Sequence, residues 1–348
     1  VWIMAYTTID DPEAYFQVKI YAGTGSTLSP TLDGDTDMQP DMVWIKAYNY
    51  TSDHRLFDAV RGATKMIKPS EVEAEGTEST ALTAFNSDGF TVGTSGDVNS
   101  SSYDYAAWCW KANGSGSANT TGTINSTATS ANTTSGISIV TFTGTASNAT
   151  VGHGLGAVPK CMWVKGRGNG TQWNIYHASL GANKHLNFDS NETEQSYTNR
   201  FNDTDPTSTV FTVGTDAETN YSGGTMVAYC FAEKQGFSKF GKYTGNGSTD
   251  GPMIFLGFRP AFVIFKKSNG AADWQMVDDK RLGYNPDQNY FNVNENFAEQ
   301  TGDIIDLVSN GFKIRGDNSN GWNKSGDTYI YIAFAKAPFV NSNGVPCK

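Results

Sequence analysis

The chain is poor in charge, cysteine and histidine, and each shortage removes a class of function. Charged residues make up 17% of its 348 residues, and the net charge is -10. That acidic balance repels a phosphate backbone, and no Lys/Arg cluster interrupts it, so nucleic acid is not an expected partner. No run of about 18 apolar residues occurs, so no segment is long enough to cross a bilayer as a helix. No basic-led apolar stretch opens the chain, and folding in a cytoplasm is the expectation.

Only 4 cysteines and 4 histidines are present. They form no Cys-x-x-Cys, Cys/His or His-x-x-x-His spacing, so neither a disulfide framework nor a zinc or redox centre is expected. Cys109, Cys161 and Cys230 fall inside apolar strands, where a reduced and inert thiol is the natural state; Cys347 is terminal. A Gly-x-Ser-x-Gly elbow and a phosphate-binding Gly-x-x-x-x-Gly-Lys-Ser/Thr loop are both missing. Gly152-x-Gly154-x-x-Ala157 imitates a dinucleotide fingerprint but lies among strands. No cofactor and no enzymatic activity are expected, although two carboxylates suited to glycoside hydrolysis could come together from distant strands.

What the chain has is repetition. Three openings, Tyr21-Ala-Gly-Thr-Gly25, Phe142-Thr-Gly-Thr-Ala146 and Tyr243-Thr-Gly-Asn-Gly247, each precede a proline-led apolar strand that ends in lysine. Those strands are Pro40-Asp-Met-Val-Trp-Ile-Lys46, Pro159-Lys-Cys-Met-Trp-Val-Lys165 and Pro260-Ala-Phe-Val-Ile-Phe-Lys266. A turn-plus-Phe step follows at Phe90, Phe211 and Phe312, and an Ala-aromatic strand closes each unit around Trp108, Tyr229 and Phe334. Four anchors in one order imply triplication.

Glycine at 37 positions, aromatics at 13% and abundant Thr, Ser and Asn predict short strands joined by polar turns, with very little helix. The expected fold is all-β, with three tandem antiparallel β-sandwich repeats of jelly-roll or lectin-like type; an open barrel is the competitor. The expected division is an N-terminal arm (1–13), repeat 1 (14–112), a linker (113–134), repeat 2 (135–234) and repeat 3 (235–348). The linker is almost entirely Asn, Ser, Thr, Gly and Ala, which predicts a flexible coil unless it docks as an extended strand. Repeats 2 and 3 join without a linker, so a rigid pair with a tethered first repeat is expected, and each repeat is expected to hold its own core.

Few residues invite a site. Asp33, Asp35 and Asp37 alternate as calcium ligands do, yet Met38 and Trp44 stand where an EF-hand-type loop needs Gly and Glu. Trp173 and Trp274 hold matching places after polar loops, as lids or as aromatic contacts for a sugar. Trp322 lies in an insertion peculiar to the third repeat and is the best candidate for an exposed contact. Asp58 and Arg61, with partial counterparts Asp278 and Arg281, are expected to form an internal pair that fixes a loop.

The opening Met4-Ala-Tyr-Thr-Thr-Ile-Asp-Asp-Pro-Glu-Ala-Tyr-Phe-Gln17, the strand ending at Lys46, and Leu56-Phe-Asp-Ala-Val-Arg-Gly62 resemble tandem-repeat structural proteins of marine tailed bacteriophages. Asp88-Gly-Phe-Thr-Val-Gly93, Ala107-Trp-Cys-Trp-Lys-Ala112 and the stretch from Tyr329 to Val340 carry the same likeness. The second repeat departs from it, with Trp173-Asn-Ile-Tyr-His-Ala178 in place of the Phe-Asp-x-Val-Arg-Gly pattern. The resemblance implies a virion protein assembled in the host cytoplasm, a tail fibre or surface appendage acting in host attachment. It brings no catalytic residues. The partners it implies are other virion proteins and copies of the chain itself, a trimer first, with a host surface glycan as a further candidate. A capsid decoration protein is one alternative, because the chain has neither the heptads nor the collagen-like repeat of a fibre shaft. A carbohydrate-binding module or glycan hydrolase is another.

Overall fold

The computed structural model describes residues 7–281, 285, 288–316 and 321–336, together with the backbone of 339–340 and 346–347. The first residues of the N-terminal arm and the side chain of Cys347 lie outside them.

The repeated strands form three antiparallel sheets with one strand order: opening strand, closing strand, proline-led strand, third strand. In unit 1 these are Phe16–Ala22, Asp104–Trp110, Met42–Ala47 and Arg55–Asp58. In unit 2 they are Ile137–Thr143, Thr225–Ala232, Pro159–Gly166 and Asn174–His177, extended by Lys184–Asn187 and Gln195–Ser196. In unit 3 they are Ser238–Thr244, Thr328–Ala335, Pro260–Lys267 and Gln275–Asp278, extended by Gln288–Asn292 and Gln300–Gly302. The register matches as well, with Trp44 opposite Trp108, Trp163 opposite Tyr229 and Ile264 opposite Ile332.

A second, smaller layer backs each sheet: Leu82–Asn86 with Gly89–Val92, Ala149–Gly152 with Val210–Val213, and Asp250–Phe255 with Gly311–Arg315 and Ile305–Val308. The fold is all-β and built of sandwiches, and the sheets stay open. Helix among the described residues is limited to short turns such as Gly96–Asn99 and Ala217–Asn220.

One recurrent turn shows how the sequence enforces this shape. Asn99, Asn220 and Asn323 are fully buried, and each accepts a backbone N–H from the opening turn, of Thr24 (2.8 Å), Thr145 (2.7 Å) and Asn246 (2.9 Å) respectively. Each amide nitrogen then donates to two backbone carbonyls, such as Ser147 and Gly214 for Asn220. The neighbouring Gly23, Gly144 and Gly245 press against backbone, and a Cβ there would lie 2.0, 2.3 and 2.3 Å from the carbonyl oxygens of Ser100, Tyr221 and Lys324. Glycine is therefore the residue that lets the opening strand and this turn meet.

The proline-led strands read as nearly continuous apolar runs because both of their faces are covered. Val43 and Ile45 point into the sandwich of unit 1, as Met162 and Val164 do in unit 2 and Val263 and Phe265 in unit 3. Trp44, Trp163 and Ile264 point the other way, into a central core that all three units share. There Trp44 meets Trp163 at 5.9 Å between ring centroids, Trp110 meets Phe262 at 5.6 Å, and Phe231 meets Phe334 at 6.0 Å.

This shared core corrects the expectation of a rigid pair with a tethered first repeat. Cys109 and Cys230 do lie in separate outer cores, but the largest aromatics belong to no single unit. The linker takes the docked alternative rather than the coil: Ser126–Asn132 adds to the edge of the unit 2 sheet, pairing with the opening strand, and Ser117 bridges to Thr129. Three of its short side chains, Ser126, Thr129 and Ser130, are buried, which a solvated coil would not allow. The described part of the N-terminal arm packs on its own chain, with Ile9 in the central core and the Thr7 hydroxyl donating to the Gln235 carbonyl at 2.7 Å.

Candidate functional site

The polar residues that the sequence singles out lie mostly at the seams between units, where they close a ring. Asp58, His177 and Asp278 share one register position at the end of the third strand. Each is met by the closing strand of another unit. Tyr229 of unit 2 donates its hydroxyl to Asp58 Oδ2 at 2.6 Å, and Trp108 of unit 1 donates Nε1–H to Asp278 Oδ2 at 3.2 Å. His177 of unit 2 donates from Nε2 to the Tyr331 carbonyl of unit 3 at 3.1 Å, while its Nδ1 accepts from Ser179 N. The cycle is complete.

A backbone bond repeats the same cycle. Glu75 N donates to Arg167 O, Glu194 N to Ser268 O and Glu299 N to Tyr48 O, each at 2.8 Å.

The Asp-Arg pairs act as internal loop fasteners, as expected. Asp58 and Asp278 are fully buried; each takes the backbone N–H groups of the following turn on Oδ1 and an arginine Nε, of Arg61 or Arg281, on Oδ2. Arg61 also reaches Glu75, which Arg167 of unit 2 grips with two bonds of 2.9 Å. Every acceptor position of these carboxylates is engaged in holding the turn and the seam.

The strand-ending lysines carried no assigned role in the sequence, and they too belong to the seams. Lys165 donates to the carbonyls of Thr171 and of Val72 in unit 1 (2.9 Å), Lys266 donates to Asn191 O of unit 2 (3.4 Å) as well as to its neighbour Lys267 O (2.7 Å), and Lys46 lies over the Phe291 ring of unit 3 at 5.2 Å. Burial lowers their pKa values to about 7 for Lys46, about 8 for Lys165 and about 7 for Lys266. Their recurrence at the end of one strand type was the available signal; the missing knowledge was that this end faces a neighbouring unit.

Trp173 and Trp274 are not surface contacts. Both are 0% exposed, and their Nε1–H groups donate across seams to Lys68 O (2.8 Å) and Asn187 O (2.7 Å). A tryptophan after a polar loop looked like a lid, but the loop folds over the neighbouring unit. Asp33, Asp35 and Asp37 do not gather: Asp33 pairs with Lys19 at 2.6 Å, and among the described residues no metal-like cluster of acids, histidines and cysteines forms.

Trp322 alone of the three tryptophans reaches the surface, half-buried at the mouth of a cleft of about 250 Å³. Its Nε1–H is tied to the Arg315 carbonyl at 2.9 Å, and its ring meets Tyr290 at 6.1 Å. The third strand and its extension supply Gln275, Tyr290 and Asn292, the preceding loop Asp273, and the last strand of the sheet Gln300. The cleft is open to solvent and combines two aromatic faces with clustered side-chain acceptors.

A family model described as a domain of unknown function, DUF7483, matches residues 11–338. The chain belongs to that family. The matched span takes in all three units and the segment between the first two, in keeping with a ring that folds as one body. No curated protein and no solved structure matches.

Proposed function

We propose that this chain is a non-enzymatic structural protein of a tailed-phage particle, a tail fibre or surface appendage that takes part in host attachment. The observation that carries this reading is the closed ring. Its buried carboxylates, lysines and tryptophans are committed to holding three β-units together, which suits a rigid part that is displayed rather than a site that turns over substrate. The sequence resemblance to marine phage structural proteins supplies the particle. In this reading the chain works as a symmetric homo-oligomer, a trimer first, since attachment multiplies weak contacts through symmetry.

Mass spectrometry of gradient-purified virions tests the reading, with the chain expected at a fixed copy number. Its absence would overturn the proposal. A decoration protein of the capsid is the second reading, favoured by the lack of a heptad or collagen-like shaft. Immunogold labelling separates the two, with gold at the tail for an appendage and gold over the head for decoration.

A further inference from the structure

The three sheets place different residues at one register position, and among the described residues unit 3 leaves that position open. Arg55 stands opposite Ile45, Asn174 opposite Val164 and Gln275 opposite Phe265. In unit 1 the guanidinium of Arg55 is held by Asp97 (3.0 Å) and Asp53 (3.2 Å). In unit 2 Arg200 covers the place and donates to Asn174 Oδ1. In unit 3 no such plug is found among the described residues. Gln275 is 3% exposed, and its Oε1 has no hydrogen-bond partner; Asn292 Oδ1 beside it has none either. Buried acceptors without partners are uncommon, and both of these line the Trp322 cleft.

The rest of the cleft is held in shape. Asp273 accepts from Asn292 Nδ2 (3.2 Å) and Asn294 Nδ2 (2.8 Å), and the Tyr290 hydroxyl donates to Gln300 Oε1 (2.9 Å). One wall is aromatic and the floor is a row of acceptors. Among the described residues no lysine or arginine lines it, so an acidic ligand would meet Asp273 without a counter-charge. A ligand that suits both walls has an apolar C–H face for Trp322 and Tyr290 and a rim of hydroxyl donors for Gln275, Asn292 and Asp273. The volume lies just under the roughly 300 Å³ at which pockets for drug-sized molecules begin, which leaves room for about one ring.

We propose that the cleft of unit 3 binds a neutral pyranose ring of a glycan, stacked on Trp322 and hydrogen-bonded through Gln275 and Asn292. The proposal stands on the cleft alone and does not require the particle reading. Saturation-transfer NMR of the purified full chain with the methyl glycosides of glucose, galactose, mannose and N-acetylglucosamine, at millimolar concentration, is the test. At least one glycoside is expected to receive saturation at its ring protons. Trp322→Ala and Gln275→Leu are each expected to weaken that binding by about tenfold or more, the loss of one good contact. Should either variant fail to fold, Asn292→Ala, which removes the other open acceptor, carries the same expectation. No transfer to any of the four glycosides, or transfer unmoved in every folded variant, overturns the proposal. A chain that binds sugar but is missing from virions would sink the particle reading and leave this one standing; a virion chain that binds none would do the reverse.

Discussion

At the scale of single residues, the seams make the difference between a pair that is broken and a bond that is trimmed. Asp58→Ala takes from buried Arg61 the carboxylate that holds its Nε, leaving only Glu75 beside it, and is expected to cost about 3 to 5 kcal/mol. Tyr229→Phe removes one bond to the same carboxylate but keeps the ring, so a loss of about 1.5 to 3 kcal/mol is expected. Urea unfolding of both variants checks the order; equal effects would mean that the aspartate is not holding the arginine. Another position works in the opposite direction. Ala146 sits at φ 54°, where the matching residues Gly25 and Gly247 sit at 68° and 67°. A side chain in that region is strained, so Ala146→Gly is expected to raise stability by up to about 1 kcal/mol. A lower melting temperature for the glycine variant would show that the turn relaxes in some other way.

At the scale of elements, the three proline-led strands deliver a buried lysine to each seam, and this gives stability a dependence on pH. An unfolded lysine titrates near 10.4, whereas these three titrate at about 7 to 8 in the fold. Between those values the unfolded chain binds more protons, so stability rises with pH. Buried thiols and phenols such as Cys109, Cys230, Tyr21 and Tyr243 have pKa values raised by burial and reverse the trend at higher pH. The expected melting temperature therefore climbs from about pH 7 to about pH 9, and Lys46→Met flattens the slope. A flat or falling profile in that window would mean that the lysines stay charged in the fold. These strands were legible in the sequence, since their proline start, lysine end and unbroken apolar middle recur at matching spacing. What the sequence did not reveal was the identity of the cover on their second face. A tryptophan at position 44 or 163 reads the same whether it fills a private sandwich or a common core. For the same reason Trp173 and Trp274 passed for lids. The strand at Ser126–Asn132 stood only as the alternative to a coil, because a run of Ser, Thr, Ala and Asn has the composition of a coil and the edge of the unit 2 sheet is what makes it a strand. Trp322, expected as an exposed contact, is half-buried beside the matched turn of Asn323, and the sequence carried no sign of the cleft that it borders.

For the whole molecule, the shared core decides whether 348 residues behave as three domains or one. Phe16, Trp44, Trp108 and Trp110 are buried in the ring, yet their partners include Phe262, Phe334 and Trp163 of the other units. Cut out alone, residues 14–112 would expose these four aromatics, each worth about 1.5 to 3 kcal/mol of burial, and would leave Asp58 without its tyrosine. That loss is as large as the net stability of an ordinary domain. The isolated fragment is therefore expected to lack near-ultraviolet circular dichroism and to aggregate, while the full chain unfolds in a single transition whose calorimetric and van't Hoff enthalpies agree. Two separate transitions, with the first reporting on unit 1, or a folded and monomeric 14–112 fragment, would show instead that the units are stable by themselves and that the central contacts only dock them.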